Sequence, residues 1–248
     1  MKKVNLLAYF FLILFAAVPL LAGVTFAISY SMGWVGALHS GTTFDNWKKV
    51  FSESDTPLAF LYSTVIALVA LTLSVLIGLL TAVKYHKWFT TGILSFIIYI
   101  PLAFPGIVAA FFFFQFLTKA GFLSRIFYQL HFTRTIDQFP DLVNDFYGIG
   151  ILITLSFLSF PFFVLLFTNL IKTERINEFR FLAETMGASK NESLKKIAVP
   201  ILLKKALPNC ILHFIFILGS FEIPLLLGRS RPEMISVLAI RKLQKFDL

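Results

Sequence analysis

Apolar residues gather into five long runs, near Val4–Ile28, Ala59–Val83, Gly92–Leu117, Gly148–Ile171 and Ala206–Leu227. As helices, each is long enough to cross about 30 Å of hydrocarbon. The first run follows Lys2-Lys3 and lacks a clear small-residue cleavage site, so it predicts a retained helix, not a signal peptide. The pattern predicts an all-α, polytopic membrane helical bundle with five spans.

Between the fourth and fifth runs the pattern changes. Ile176, Phe179, Leu182, Ala183 and Met186 recur at helical spacing on one face, with Arg175, Glu178 and Arg180 on others. Gly187 permits a backbone conformation that most residues resist and predicts the end of that helix. Ser189 followed by Glu192 forms a capping box at the start of a second helix. That helix carries Leu194, Ile197, Ala198 and Ile201 on one stripe and Lys190, Lys195 and Lys196 outside it. Pro200, thirteen residues after Gly187, is expected to bend the backbone towards the next span. A charged helix–turn–helix between two spans fits a docking element for a soluble partner. It also fits an amphipathic hairpin lying on anionic lipid.

Composition narrows the class. The chain of 248 residues is 58% hydrophobic and 14% charged, with a mean hydropathy of +0.83. A soluble domain carries about a quarter charged residues, so this chain lacks the polar surface to cover a water-soluble globule. The net charge of +9 would point to nucleic acid in a soluble protein. Here the basic residues flank apolar runs, as topology signals do, and no aromatic–basic interleaving lies outside those runs, so no nucleic-acid partner is expected. The single cysteine, Cys210, cannot form a disulfide within the chain and reads as a lipid-facing or packing residue.

Charge also orients the chain. Lys2 and Lys3, then Lys84 and Lys87, then Lys172, Arg175, Arg180, Lys190, Lys195, Lys196, Lys204 and Lys205 mark three segments that alternate onto one side, expected to be cytoplasmic. The two opposite loops carry Asp45, Glu53, Asp55, Asp137, Asp141 and Asp145. The N-terminus is therefore expected inside, and five spans place the polar tail from Arg229 to Leu248 outside. There is no phosphate-cradling loop ending in Gly-Lys-Ser/Thr, no metal-ligand cluster and no catalytic triad spacing. No enzymatic activity and no cofactor are expected.

The segment Ala183-Glu184-Thr185-Met186-Gly187-Ala188-Ser189, with Glu192, Ile197 and Pro200, resembles the cytoplasmic coupling loop, or EAA loop, of permease subunits of bacterial ATP-binding-cassette importers. Phe44-Asp45-Asn46-Trp47, Tyr62-Ser63-Thr64, Gly78 and Ala82 are similar to the start of that family's transmembrane domain. Pro101-Leu102-Ala103-Phe104-Pro105 is similar to its double-proline segment. Gly219-Ser220-Phe221-Glu222-Ile223-Pro224, followed by Leu225-Leu226-Leu227-Gly228, resembles a segment common among permeases for polyamines, ferric iron, thiamine and related solutes. The resemblance covers roughly 44–248, with the family's last helix apparently absent. One departure matters: Phe181-Leu182-Ala183 stands where the family usually has Glu-Ala-Ala, so Glu178 or Glu184 is left to supply the missing charge.

The resemblance implies a MetI-like fold, with residues 1–43 as an N-terminal helix and outer loop and 44–248 as the transmembrane domain bearing a coupling loop at 172–205. It implies a permease in a bacterial inner membrane, with cytoplasmic ATPase subunits, a second permease subunit, identical or homologous, and an extracytoplasmic solute-binding protein as partners. ATP would then be bound and hydrolysed by another polypeptide. A membrane anchor or sensor that docks a soluble partner through the same loop is the alternative. Solute-path candidates are Pro101, Pro105, Pro161 and Pro224, because proline removes a backbone hydrogen bond and broken helices often line such paths. Glu222, the only acidic residue well inside a predicted span, should point into the bundle. It either attracts a cationic solute or pairs with Arg229 or Arg231. His213 reads as a packing or interfacial residue.

Overall fold

Helices form where the apolar runs predict them, and they break where proline or glycine removes hydrogen bonds or adds backbone freedom. The computed structural model describes residues 10–11, 13–36, 41–89 and 92–246. Lys2, Lys3 and the start of the first predicted span lie outside the described residues. The chain divides into two compact units, Met1–Pro57 and Leu58–Leu248. In the first, a π-turn at Ile13–Ala17 leads into α1 (Val18–Ser31), and a short helix, α2 (Asp45–Ser52), follows. Neither the π-turn nor α1 buries any residue within its unit.

In the second unit, α3 (Asp55–Tyr85, within this unit from Leu58) and α8 (Ile149–Thr173) run parallel side by side. Tyr62 lies beside Gly148 and Gly78 beside Phe163, while His86, just past the end of α3, lies beside Asn177. Small residues allow this approach. Ser63, Ala67, Ala70, Ser74, Gly78 and Ala82 form a buried stripe on α3, and small residues let helix backbones come close where lipid offers no hydrophobic drive to association. A methyl at Gly78 would stand 2.6 Å from the Phe163 Cβ. Two buried hydroxyls are satisfied along their own helices: Ser74 donates to the Ala70 carbonyl at 2.7 Å and Thr154 to that of Gly150 at 2.8 Å.

The third predicted span, Gly92–Leu117, is not one helix. It is α4 (Ile93–Ile97), α5 (Ile100–Ala103) and α6 (Gly106–Leu117). Phe104 and Pro105 take extended backbone between the last two pieces, as expected where proline restricts the residue before it. A further segment follows, with α7 (Phe122–Gln129).

The fifth predicted span, Ala206–Leu227, also divides. A continuous helix runs from Lys190 to Leu218, built of α10 (Lys190–Ser193), a π-turn at Leu194–Ala198, and α11 (Val199–Leu218). Pro200 therefore sits inside this helix, in the first turn of α11. The π-turn just before it, closed by the Val199 amide on the Leu194 carbonyl, absorbs the disturbance that a prolyl ring imposes on the preceding turn. The real break comes at Gly219 and Ser220, ahead of α12 (Glu222–Leu227). Pro161 leaves α8 continuous, and Pro224 falls in the first turn of α12, where its missing N–H costs nothing. The tail read as polar forms α13 (Ile235–Phe246), anchored by the Ile235 amide donating to the Ser63 hydroxyl at 2.7 Å.

Two apolar clusters hold this unit. One joins Ile66, Ala70, Ala110, Phe113, Ile151, Leu155, Ile217 and Leu227; the other joins Leu79, Ala82, Phe163, Phe167, Ile171, Ile176, Ala198 and Leu202. The second cluster is the base on which the polar loop stands.

Candidate functional site

The loop after α8 is an organised hairpin of helices. Arg175, at φ 51°, turns the chain out of α8 into α9 (Ile176–Thr185) and pairs with Glu178 at 2.6 Å. Ile176 is buried in the cluster at the end of α8, and Lys205 on α11 reaches back to Glu174 at 3.0 Å. The hairpin is thus pinned at its root by one apolar side chain and one ion pair.

Gly187 makes the turn at φ 97°, the left-handed region that glycine alone enters without strain. The Gly187 amide donates to the Glu184 carbonyl at 3.1 Å and the Ala188 amide to the Ala183 carbonyl at 3.0 Å, satisfying the last carbonyls of α9. Ser189 then caps α10: its hydroxyl accepts from the Glu192 amide at 3.2 Å, and Glu192 Oε2 accepts from the Ser189 amide at 3.1 Å. Glu192 stands in the charged turns ahead of the apolar part of α11. The Ser189 amide, and after it Lys196 at 3.1 Å, draw its carboxyl down to about 2.

The two arms are tied by a polar cluster. The Ser193 hydroxyl donates to Glu184 at 2.8 Å, Arg180 Nε donates to the Ser193 hydroxyl at 3.4 Å, and Arg180 pairs with Glu184 at 3.8 Å. Glu184 is thus the acid that ties the two arms of the hairpin together. Glu178 is engaged with Arg175 instead.

The stripe of apolar residues on α9 divides. Ile176 goes inside, while Phe179, Leu182 and Met186 stand 50%, 56% and 89% exposed. On the second arm Ala198 is buried and Ile197 half-buried. The hairpin presents an apolar ridge that the second unit itself does not cover.

A second candidate lies at the helix breaks. A cavity of about 480 Å³ is bounded by Pro101, Phe104, Gly106, Ser159, Phe162, His213 and Glu222 among others. Of the predicted path residues it brings together Pro101 and Glu222, and Pro105 caps the helix that begins at Gly106 beside them. Pro161 and Pro224 are buried in packing and do not line it. Among the described residues no lysine or arginine pairs with Glu222, and Arg229 sits over the Phe146 ring instead. Glu222 Oε2 comes within 2.5 Å of where a Cβ on Gly106 would stand. A second cavity, about 570 Å³, continues along α8 past Phe162, lined by Thr168, Asn169, Lys172 and Asn209. The Phe162 ring is a wall of both.

Gly106, Phe162 and Ser193 escaped the sequence reading. A glycine after Pro105 was visible, but its role depends on a residue 116 positions away. Phe162 is one of 31 phenylalanines, and nothing in the pattern separates it from the rest. His213 does pack as expected, stacked on Phe162 at 5.0 Å, but it also lines the cavity.

Among the described residues, five helices are long and apolar enough to cross a membrane, which makes this a polytopic membrane protein. The chain belongs to the family of binding-protein-dependent transport system inner membrane components, which it matches over residues 74–247. It is a multi-pass inner membrane permease component. No curated protein matches the chain at a significant level.

Proposed function

We propose that this chain is the transmembrane permease subunit of a bacterial ATP-binding-cassette importer, and that the hairpin 172–205 couples its path to ATP hydrolysis on a separate subunit. The observation that carries the reading is the exposed ridge of Phe179, Leu182 and Met186 on a hairpin rigidly rooted in the transmembrane helices. A soluble partner that buries a helix in a groove recognises such a face. Closure of two ATPase subunits would drag the hairpin, and its root on Ile176 and Glu174 would pass that motion into α8 and α11. A second permease subunit would complete the path, and a binding protein would deliver solute to the opposite end. With the N-terminus inside, the hairpin lies in the cytoplasm, as the basic residues around it require. An anchor or sensor would use the hairpin alike but has no need of helices broken around a cavity.

Gly187→Val tests this. Nothing lies within 4 Å of a Cβ at Gly187, so the substitution acts through the backbone alone. Holding a β-branched residue at positive φ costs about 1–3 kcal/mol, enough to reorient the two arms. The expected outcome is that uptake falls and solute no longer stimulates hydrolysis, while the transmembrane helices stay folded. Wild-type ATPase co-purification and solute-stimulated hydrolysis in this variant would overturn the coupling role.

A further inference from the structure

We propose that the cavity between the hairpin ends of α8 and α11 holds a membrane phospholipid with an anionic headgroup. The phosphate rests on Lys172 and Asn169, the glycerol esters lie at Asn209, and one acyl chain runs along Phe162 and Leu166. Such a site goes beyond the permease reading and needs only that α8 and α11 cross the bilayer.

The cavity, about 570 Å³, carries polar groups that the chain leaves uncompensated. Lys172 makes no ion pair among the described residues, and the side-chain amides of Asn169 and Asn209 have no hydrogen-bond partner among them. No aspartate or glutamate lines the cavity, so its one formal charge is positive. An ammonium beside amide donors suits a phosphate, which lysine binds as a point charge. Asn209 stands near the middle of the apolar α11, where an amide without a partner is costly. It needs an acceptor from outside the chain.

Depth separates a phospholipid from a soluble anion. Lys172 lies in the last turn of α8, at the rim. Helix α11 runs antiparallel beside α8: Lys205 pairs with Glu174 at 3.0 Å, and His213 stacks on Phe162 at 5.0 Å. Asn209, midway between Lys205 and His213, is therefore level with Thr168, about 6 Å further along the helix than Lys172. Phe162 lies about 15 Å further along. A charge at the rim, an amide one turn deeper and hydrocarbon walls below follow the order of phosphate, ester carbonyl and acyl chain in a phospholipid. Tyr99, 54% exposed, adds to the wall an aromatic ring with a polar tip, the kind enriched at membrane interfaces. Basic pockets between membrane helices are known binders of anionic lipid headgroups.

Native mass spectrometry of the full chain in detergent tests this by counting bound lipid, with no ATPase or solute present. Phosphatidylglycerol and phosphatidylcholine with the same acyl chains are offered in equal amounts, and wild type is expected to retain phosphatidylglycerol in preference. Lys172 is exposed, so Lys172→Gln keeps the fold. It should lower phosphatidylglycerol occupancy about fivefold, the factor one lysine supplies near an anionic surface, and leave phosphatidylcholine unchanged. Asn209→Leu should lower both lipids alike, about threefold, because both carry the same esters. Lys204→Gln, at an exposed lysine outside the cavity, is the control and should change neither. Excess inorganic phosphate or glycerol phosphate should displace no lipid. No preference in wild type, an unchanged preference in Lys172→Gln, or an equal loss in Lys204→Gln would overturn the proposal. Displacement by either soluble phosphate would assign the cavity to a soluble anion, and a lipid-free dimer would assign it to a second copy of the chain. Either result overturns the lipid site.

Discussion

At the scale of single residues, the hairpin depends on a side chain with no hydrophobic or charged signature. Ser193 is buried, and its hydroxyl joins Glu184 to Arg180 across the two arms. Removing it in Ser193→Ala leaves Glu184 and Arg180 at 3.8 Å, a long ion pair. The loss of such a hydrogen bond costs about 1 kcal/mol, several-fold in the local opening equilibrium. Hydrogen exchange at amides of 176–198 should accelerate by roughly that factor, while amides of α8 keep wild-type protection. Unchanged exchange in the hairpin would show that the cluster does not hold the arms together. The capping box next to it was legible from Ser189 and Glu192 alone, because both partners lie within one turn. The Glu184–Ser193 contact was not, because it joins residues on either side of Gly187.

At the scale of elements, the close approach of α3 and α8 is set by Gly78. A methyl there would sit 2.6 Å from the Phe163 Cβ and 3.0 Å from its carbonyl carbon. Neither atom is the end of a flexible side chain, so the helices must part. Gly78→Ala is expected to destabilise the second unit by about 1–3 kcal/mol, as overpacking does. A thermal-unfolding midpoint measured in detergent should fall accordingly. Leu80→Ala, two residues on and 69% exposed, is the control and should change little. The small-residue stripe on α3 could be seen in the sequence once α3 was known to be a span. Which helix it faced could not. The prolines teach a related lesson: all four path candidates lack a backbone N–H, yet only Pro101 and Pro105 bound helix breaks at the cavity, while Pro161 and Pro224 are buried in helices.

At the scale of the whole molecule, the orientation proposed from charge is tested along α8. Asn144 and Ser189 lie beyond opposite ends of that helix, which at 25 residues is about 37 Å long. Cysteines at Asn144 and at Ser189, each in a Cys210→Ser background, should react with an impermeant thiol reagent from opposite faces of the membrane. Asn144 should label in intact cells and Ser189 only in inside-out vesicles. Labelling of both from one face would refute the topology, and the reverse pattern would place the hairpin outside.

The sequence by itself determined that this chain is a helical membrane protein, where its apolar runs lie, and that a capped, glycine-turned hairpin stands between two of them. These are local properties, set by residue type over one or a few turns: hydropathy over a span, a cap over three residues, a turn at one φ angle. Tertiary structure alone decided where runs of uniform hydrophobicity break, which proline bounds a cavity and which is packed away, and that Glu222 lies against Gly106. Lipid-soluble helices carry almost no pattern to distinguish a buried face from an exposed one, since both faces are apolar. The pairing of faces is therefore chosen by shape, in the fit of small residues against large ones from distant parts of the chain.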